Sequence, residues 1–513
     1  MAASFHGAEF TFVQPDGTEL RVRGWGNQHH AVFETLDGYT VVKDPSTGFY
    51  EYARATPERD TLRPTGIAPG DATPAALGLQ PNARLSSVAA KARARDVAEG
   101  LPTGGTRWEA RRQEAKLQAV RRAAVAAAGV ANVPMPAPPP RQTVGDYVGL
   151  CLLVQFPDVP GTITRDEVDA FCNQQGYSAG GNNGSVRDFF FDSSLGKLRY
   201  TNVVAPYYTA KHPRSYYTDR KVAQPRRARE LITEALTWLK TQQFDFPRLT
   251  ADGDGYVYAT NVSYAGPVVN NWAEGLWPHS FGLAAPFPLT AGKNAHDYQI
   301  TNMGAQLTIG TFCHENGHMI CDFPDLYDYG DQSSGIGDYC LMCGGNNADP
   351  RNPVDVSAYL KYRAGWAGSV TRLSAGLKAT ARAGRNEFFV HAKSPTEYFI
   401  IENRARAGRD AALPDAGLAV WHVDELGDNQ NEQMTPAEHY ECSLVQADGR
   451  FDLERAQGTG GDADDLFGGG PGEVDRVGPG TVPNTNWWDG SASRLEIRKV
   501  SPAGATMTFE ADV

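Results

Sequence analysis

LTIGTFCHENGHMICDFPDLYDYG (residues 307–330) carries His314-Glu315-Asn316-Gly317-His318 at its centre. A helix is expected here, from near Leu307 to near Asp322. At 3.6 residues per turn, His314 and His318 share one face, so both imidazoles can reach a single ion. Glu315 then stands beside that ion, where it can take a proton from a water. HExxH on a helix is the core of a zinc peptidase centre. The plain alternative is a surface helix with two unrelated histidines, because five letters also recur by chance.

A catalytic zinc takes three protein ligands and leaves one position open. No Glu occurs between Glu315 and Glu387, so a Glu from a following helix is a poor third ligand. Asp322, Asp325 and Asp328 are the next candidates. Any of them requires the chain to turn back towards the histidines. Cys313, Cys321, Cys340 and Cys343 also cluster here, and Cys151, Cys172 and Cys442 complete an odd set of seven. Buried thiols are the leading reading. Disulfides within the cluster, or a second structural zinc at the Cys-x-x-Cys spacing, are the alternatives.

Outward from this stretch, four regions separate. Residues 1–130 begin with a β-rich unit, turned at Pro15-Asp16-Gly17 and Asp37-Gly38. They continue into TRWEARRQEAKLQAVRRAAVAAAG, which is helix-prone and locally basic. Residues 131–145 contain VPMPAPPPRQ, a stiff Pro-rich linker and a target for proteolysis. Residues 146–369 mix strands and helices. VGLCLLVQFPD reads as a buried strand, and RDEVDAFCNQ, SVRDFFFDSSLGKL, RRARELITEALTWLKTQ and DVSAYLKYRAGW read as helices. TADGDGYVYATNVSYAG starts with an acidic turn and runs into a strand. Residues 370–513 alternate strands and turns (EFFVHA, EYFIIENR, GLAVWHVD, ATMTFEADV), as in a β-sandwich-like unit. The whole is expected to be α+β.

The chain has 513 residues, 41% hydrophobic and 21% charged, with a net charge of −12. Such a composition suits a globular protein and argues against nucleic acid as a partner. No apolar run is long enough to insert stably in a membrane. The start, MAASFHGAEFTF, lacks the basic and apolar segments of a secretory leader.

HENGHMICDFPDLYDYG resembles the signature HExGHxxGxPDxYD of the immune inhibitor A family of zinc endopeptidases. QPDGTELRVRGWGN and ETLDGYTVVKDPSTGFYEYA resemble that family's pro-region. LLVQFPD, GSVRDFFFDSSLGKL, DGDGYVYATNVSYAG and LWPHS resemble its catalytic domain. GIGDYCLMCGG, EYFIIENR, GLAVWHVDE, QADGRFDLE and GDADDLF resemble the regions that follow. The resemblance implies a metzincin-like catalytic domain and a secreted endopeptidase made as a precursor. Zinc is its cofactor, proteins or peptides are its substrates, and the pro-region is an intramolecular inhibitor. It implies Glu315 as catalytic base, and His314, His318 and Asp325 as metal ligands. The family's Asp lies ten residues after the first His, where this chain has Pro324. Asp325 comes at eleven, and Asp322 stands where the family has Gly. Asp tolerates the left-handed conformation that ends a helix, so the turn can fall at Asp322. Met342 matches a Met-containing turn beneath the metal in related peptidases.

Other signals are weaker. Asp252 and Asp254 in DGDG form part of a calcium-loop pattern, and Asp462, Asp464 and Asp465 form a second acidic turn. Solvated turns are the simpler reading of both. His279 reads as a packed strand-end residue. No P-loop, dinucleotide fingerprint or serine nucleophile elbow is present. Two rival readings remain: a non-catalytic binding protein that keeps the fold, and an intracellular or injected peptidase toxin.

Overall fold

Pro15-Asp16-Gly17 closes β1 (Phe5–Val13) on β2 (Glu19–Gly26), and Asp37-Gly38 closes β3 (Ala31–Thr35) on β4 (Thr40–Lys43). Gly17 and Gly38 take φ of 89° and 88°, which a side chain would resist. With β5 (Tyr50–Ala55) and β6 (Leu62–Pro64) these strands form a six-stranded antiparallel meander in sequence order. The computed structural model describes residues 5–27, 30–86, 88–93, 105–127, 136, 141–222, 224–304, 306–330, 332–429, 434–455 and 460–513. Most of the expected Pro-rich linker, at 131–135 and 137–140, lies outside the described residues. The helix-prone basic stretch forms α1 (Arg107–Ala127).

A five-stranded sheet in the order β10-β11-β9-β7-β8 organises the middle of the chain. β7 (Gly145–Gln155), β8 (Leu198–Thr209), β9 (Thr260–Ala265) and β11 (Lys293–Met303) are parallel. β10 (His279–Thr290) runs antiparallel to β11 at one edge. Side chains alternate across a strand. Leu150, Leu152 and Val154 therefore join one core, with Leu231, Ile232 and Leu236 of α4 (Arg226–Lys240). Cys151 and Leu153 join the opposite core, with α2 (Arg165–Asn173), α3 (Val186–Ser193), α5 (Ile309–Cys321) and α6 (Ala358–Ala364). Capping boxes at Thr164 and Ser185 fix the starts of α2 and α3.

Some elements differ from expectation. The helix read over SVRDFFFDSSLGKL stops at Ser193, and Leu198 opens β8. Leu195 and Gly196 take φ of 54° and 76° and turn the chain between them. β8, β10 and β11 had not been expected as strands. β11 buries His296, Asp297 and Gln299, which disguises its apolar face. β10 carries Pro286 and Pro288, which only an edge strand accommodates.

The last region has β12 (Ser369–Arg372), β13 (Leu377–Arg382), β14 (Glu387–Ala392), β15 (Glu397–Arg404), β16 (Gly417–Asp424), β17 (Cys442–Leu444), β18 (Glu496–Arg498) and β19 (Thr506–Asp512), in a sheet ordered β12-β14-β15-β16-β17 and a smaller one ordered β13-β19-β18. β14, β15 and β16 pack against β19 across the two layers. Phe399, Ile401, Leu418 and Val420 face Met507 and Phe509 of the smaller sheet. Tyr398, Ile400, Ala419 and Trp421 face the other way, into the core that holds α5 and α6. Apolar packing thus runs unbroken from residues 146–369 into 370–513. The chain is a mixed α+β protein with several sheets and few helices among the described residues.

Candidate metal centre

α5 is buried along its length except at Thr311. Gly310 lets its first turn approach Asn346 and Pro350: a Cβ there would stand 2.2 Å from Asn346 O. Asn316, on the face away from the histidines, binds α5 to the sheet. Its Oδ1 accepts from Tyr200 of β8 (2.5 Å), and its Nδ2 donates to Asn261 Oδ1 of β9 (2.8 Å). Gln299 of β11 donates to the same Asn261 oxygen (2.7 Å). Buried polar contacts of this kind fix register, because breaking one leaves an unsatisfied group.

The helix ends at Asp322, which adopts φ 57° and ψ 30°. Its N–H donates to His318 O (2.9 Å), and Phe323 N–H donates to Gly317 O (3.3 Å). This left-handed cap, expected from the sequence, turns the chain back and carries Asp325 to the histidines. His314 Nε2 and His318 Nε2 lie 3.1 Å apart. Asp325 Oδ1 lies 3.1 Å from the first and 3.2 Å from the second. Tetrahedral zinc with bonds of about 2.0–2.1 Å separates its donor atoms by about 3.3–3.4 Å. The triangle therefore fits one such ion. Asp325 Oδ1 and Glu315 Oε1 are buried with no hydrogen-bond donor aligned on them, as an ion and a water would require.

The surroundings orient these donors. His314 Nδ1 faces Leu341 O (2.9 Å) and His318 Nδ1 faces Phe323 O (2.6 Å). A proton on each Nδ1 leaves Nε2 as a lone pair aimed at the centre. Tyr329 Oη donates to the other Asp325 oxygen (2.9 Å). Burial lowers the His318 pKa, but Asp325 outweighs it and lifts it to about 9. Burial also raises Asp325, yet His318 and His314 hold it well below the usual carboxylate range. Burial pushes the Glu315 pKa up, against the opposing pull of the two histidines, and Ser280 of β10 bonds its carboxyl.

The remaining candidates fall elsewhere. Asp322 turns its carboxylate to Arg111 (2.7 Å) and Arg141, away from the centre. Asp328 accepts from the N–H groups of Gly330, Gln332 and Ser333 (2.9–3.2 Å) and so shapes the turn. Met342 lies beneath α5, where a Cβ on Gly317 would stand 2.7 Å from its Sδ. All seven cysteines are buried and unbridged. His279 opens β10, packed between Trp277 O (2.6 Å) and Tyr298 Oη (3.1 Å).

Asp252 and Asp254, the expected calcium pair, meet arginines instead. Asp252 pairs with Arg111 (3.2 Å) and Asp254 with Arg107. Asp462 converges with Asp448 and Asp452, their carboxylate oxygens within 4.8 Å of one another. Arg450 supplies the counter-charge to Asp448 (3.2 Å) and Asp462 (3.4 Å). Asp465 instead accepts from Tyr339 Oη (2.9 Å).

One neighbour had no sequence signal beyond lying in a basic helix. Trp108 of α1 stacks on the His318 ring, centroids 4.5 Å apart and planes at 22°. The N–H groups of Arg107 and Trp108 donate to Asp297 of β11 (2.7 and 3.0 Å) and seat the start of α1 there. No family model matches this chain, and no curated protein matches it.

Proposed function

We propose that the chain is a zinc-dependent endopeptidase made as a precursor, with a metzincin-like catalytic domain like that of the immune inhibitor A family. The observation that carries this reading is the triangle of His314, His318 and Asp325 donor atoms, 3.1–3.2 Å on a side, beside Glu315, whose Oε1 is buried without a hydrogen-bond partner. The four parallel strands, the antiparallel edge strand beside Glu315 and Met342 under the helix support it.

His314, His318 and Asp325 would hold the zinc, which polarises a peptide carbonyl and lowers the pKa of a water to about 7. Glu315 accepts that water's proton during attack on the carbonyl carbon and passes it to the departing amine. Its buried setting raises its basicity towards that task. Ser280 steadies the carboxyl from β10, and a substrate backbone pairing along this edge strand would lie across the base. In the precursor, α1 restrains the site through the Trp108–His318 stack. Cleavage in the Pro-rich segment 131–145 would release it.

The test is cleavage of an unfolded protein by the full chain nicked in that segment, with and without zinc, beside Glu315→Gln. Zinc-dependent cutting by wild type, and none by a variant that still binds zinc, supports the reading. One zinc bound by both and no cutting by either would overturn it in favour of a binding protein.

A further inference from the structure

We infer that the wall covered by α1 is a cation-selecting substrate surface, so that the processed protein takes polypeptide segments rich in Lys and Arg. This rests on the peptidase reading and names the substrate class of that site.

α1 is the occupant that reveals the wall. Arg107 pairs with Asp254, and Arg111 with Asp252 (3.2 Å) and Asp322 (2.7 Å). Arg112 and Lys116 both meet Glu441, the lysine at 3.1 Å, and Arg122 meets Glu425 (3.3 Å). With Asp297 under the helix start, six carboxylates face one basic helix. Among the described residues, Arg141 on Asp322, Arg363 on Glu425 and His296 on Asp297 (2.9 Å) reach them from outside α1.

These are not solvated surface charges. The side chains of Asp252, Glu425 and Glu441 are 6%, 4% and 4% exposed. Those values hold with α1 in place, and a carboxylate set in such a partly desolvated wall attracts a cation more strongly than one fully in water. When α1 leaves, Glu441 keeps Tyr359 Oη (2.5 Å), and Asp252 keeps the N–H groups of Asp254 and Tyr256. These partners carry no charge, so both carboxylates stay open to an arriving cation.

The row has direction and length. It starts at the metal ligands, where Trp108 covers His318, and runs to Glu425 at Arg122. Fourteen helical residues span about 21 Å. An extended peptide of about six residues covers the same distance. The preference should therefore spread over several positions on one side of the scissile bond. A cavity of about 460 Å³ lies between α1 and this wall, with Asp322, Glu425 and Glu441 in its lining.

The test uses the full chain nicked in the Pro-rich segment, carrying Glu315→Gln to prevent cutting and Trp108→Ala to loosen α1. Labelled peptides of about eight residues, one Lys/Arg-rich, one Ala/Ser-rich and one Glu-rich, are titrated by fluorescence anisotropy at about 50 and 300 mM salt. The basic peptide should bind at least about tenfold tighter than the neutral one and weaken markedly at the higher salt. Asp252→Asn with Glu441→Gln should remove most of that advantage. No binding of the basic peptide, equal binding of the three, or an advantage untouched by the double variant would overturn the inference. In nicked protein with Glu315 intact, basic binding without any cleavage would sink the peptidase reading alone. Cleavage indifferent to charge would sink this inference alone.

Discussion

Trp108→Ala should undock α1 without unfolding the rest. Trp108 is 8% exposed, so nearly all of its ring surface is out of water. A Trp buries about 150–250 Å², and at about 25 cal/mol per Å² that is about 4–6 kcal/mol. Alanine keeps part of it and the gap partly closes, which leaves a loss of about 3 kcal/mol. The ion pairs of α1 do not compensate. Asp254 is 71% exposed, and such pairs are worth about 0–1 kcal/mol. The buried pairs roughly balance their own desolvation. A loss of about 3 kcal/mol multiplies the open population about 150-fold. Hydrogen exchange reads it directly: amides of α1 should lose about 100-fold in protection, while those of β7 stay unchanged. A change under about fivefold in α1 would refute the reasoning and assign the docking to the arginines.

Glu315→Gln should bind one zinc per chain by metal analysis yet lower turnover by about 10²–10⁴, whereas His318→Ala should lose the zinc itself. Gly310→Ala should cost about 3 kcal/mol or more in denaturant unfolding, because the added methyl would meet the Asn346 and Pro350 backbone. Acid should loosen α1. Burial raises the Glu441 pKa, but Arg112 and Lys116 outweigh it and hold it at about 2, below the usual 4.5. A depressed carboxyl stabilises docking fully above 4.5 and loses that contribution as pH falls towards about 2. Glu425 is shifted upward by burial and opposes this trend. α1 protection followed against pH should therefore fall below about pH 4.5, and a profile equally steep in Glu441→Gln would contradict the assignment.

Sequence reading reached far where local rules operate. The period of the α-helix puts His314 and His318 on one face whatever surrounds them. The tolerance of Asp for positive φ placed the helix end at Asp322, and the fold has it there at φ 57°. The same turn explains how Asp325 reaches the histidines from one position later than the resembling signature has it. Hairpin turns at Gly17 and Gly38 were legible for the same local reason.

Contacts between distant segments were not legible. Asp322 and Asp328 matched Asp325 in residue type and neighbourhood, and only folding gave one to arginines, one to backbone N–H groups and one to the two histidines. Asp252 and Asp254 looked like a cation loop because the arginines that meet them lie about 140 residues earlier. Strands β10 and β11 were hidden by their own polar and Pro residues, yet they bring Ser280 to Glu315 and Asp297 to α1. The sequence by itself determined that His314 and His318 share one helix face and that the chain turns behind them, since helix pitch and backbone sterics act within a few residues. Tertiary structure alone decided that Trp108 lies on His318 and that a basic helix covers an acidic wall, because those pairings form only when chain segments hundreds of residues apart share one desolvated surface.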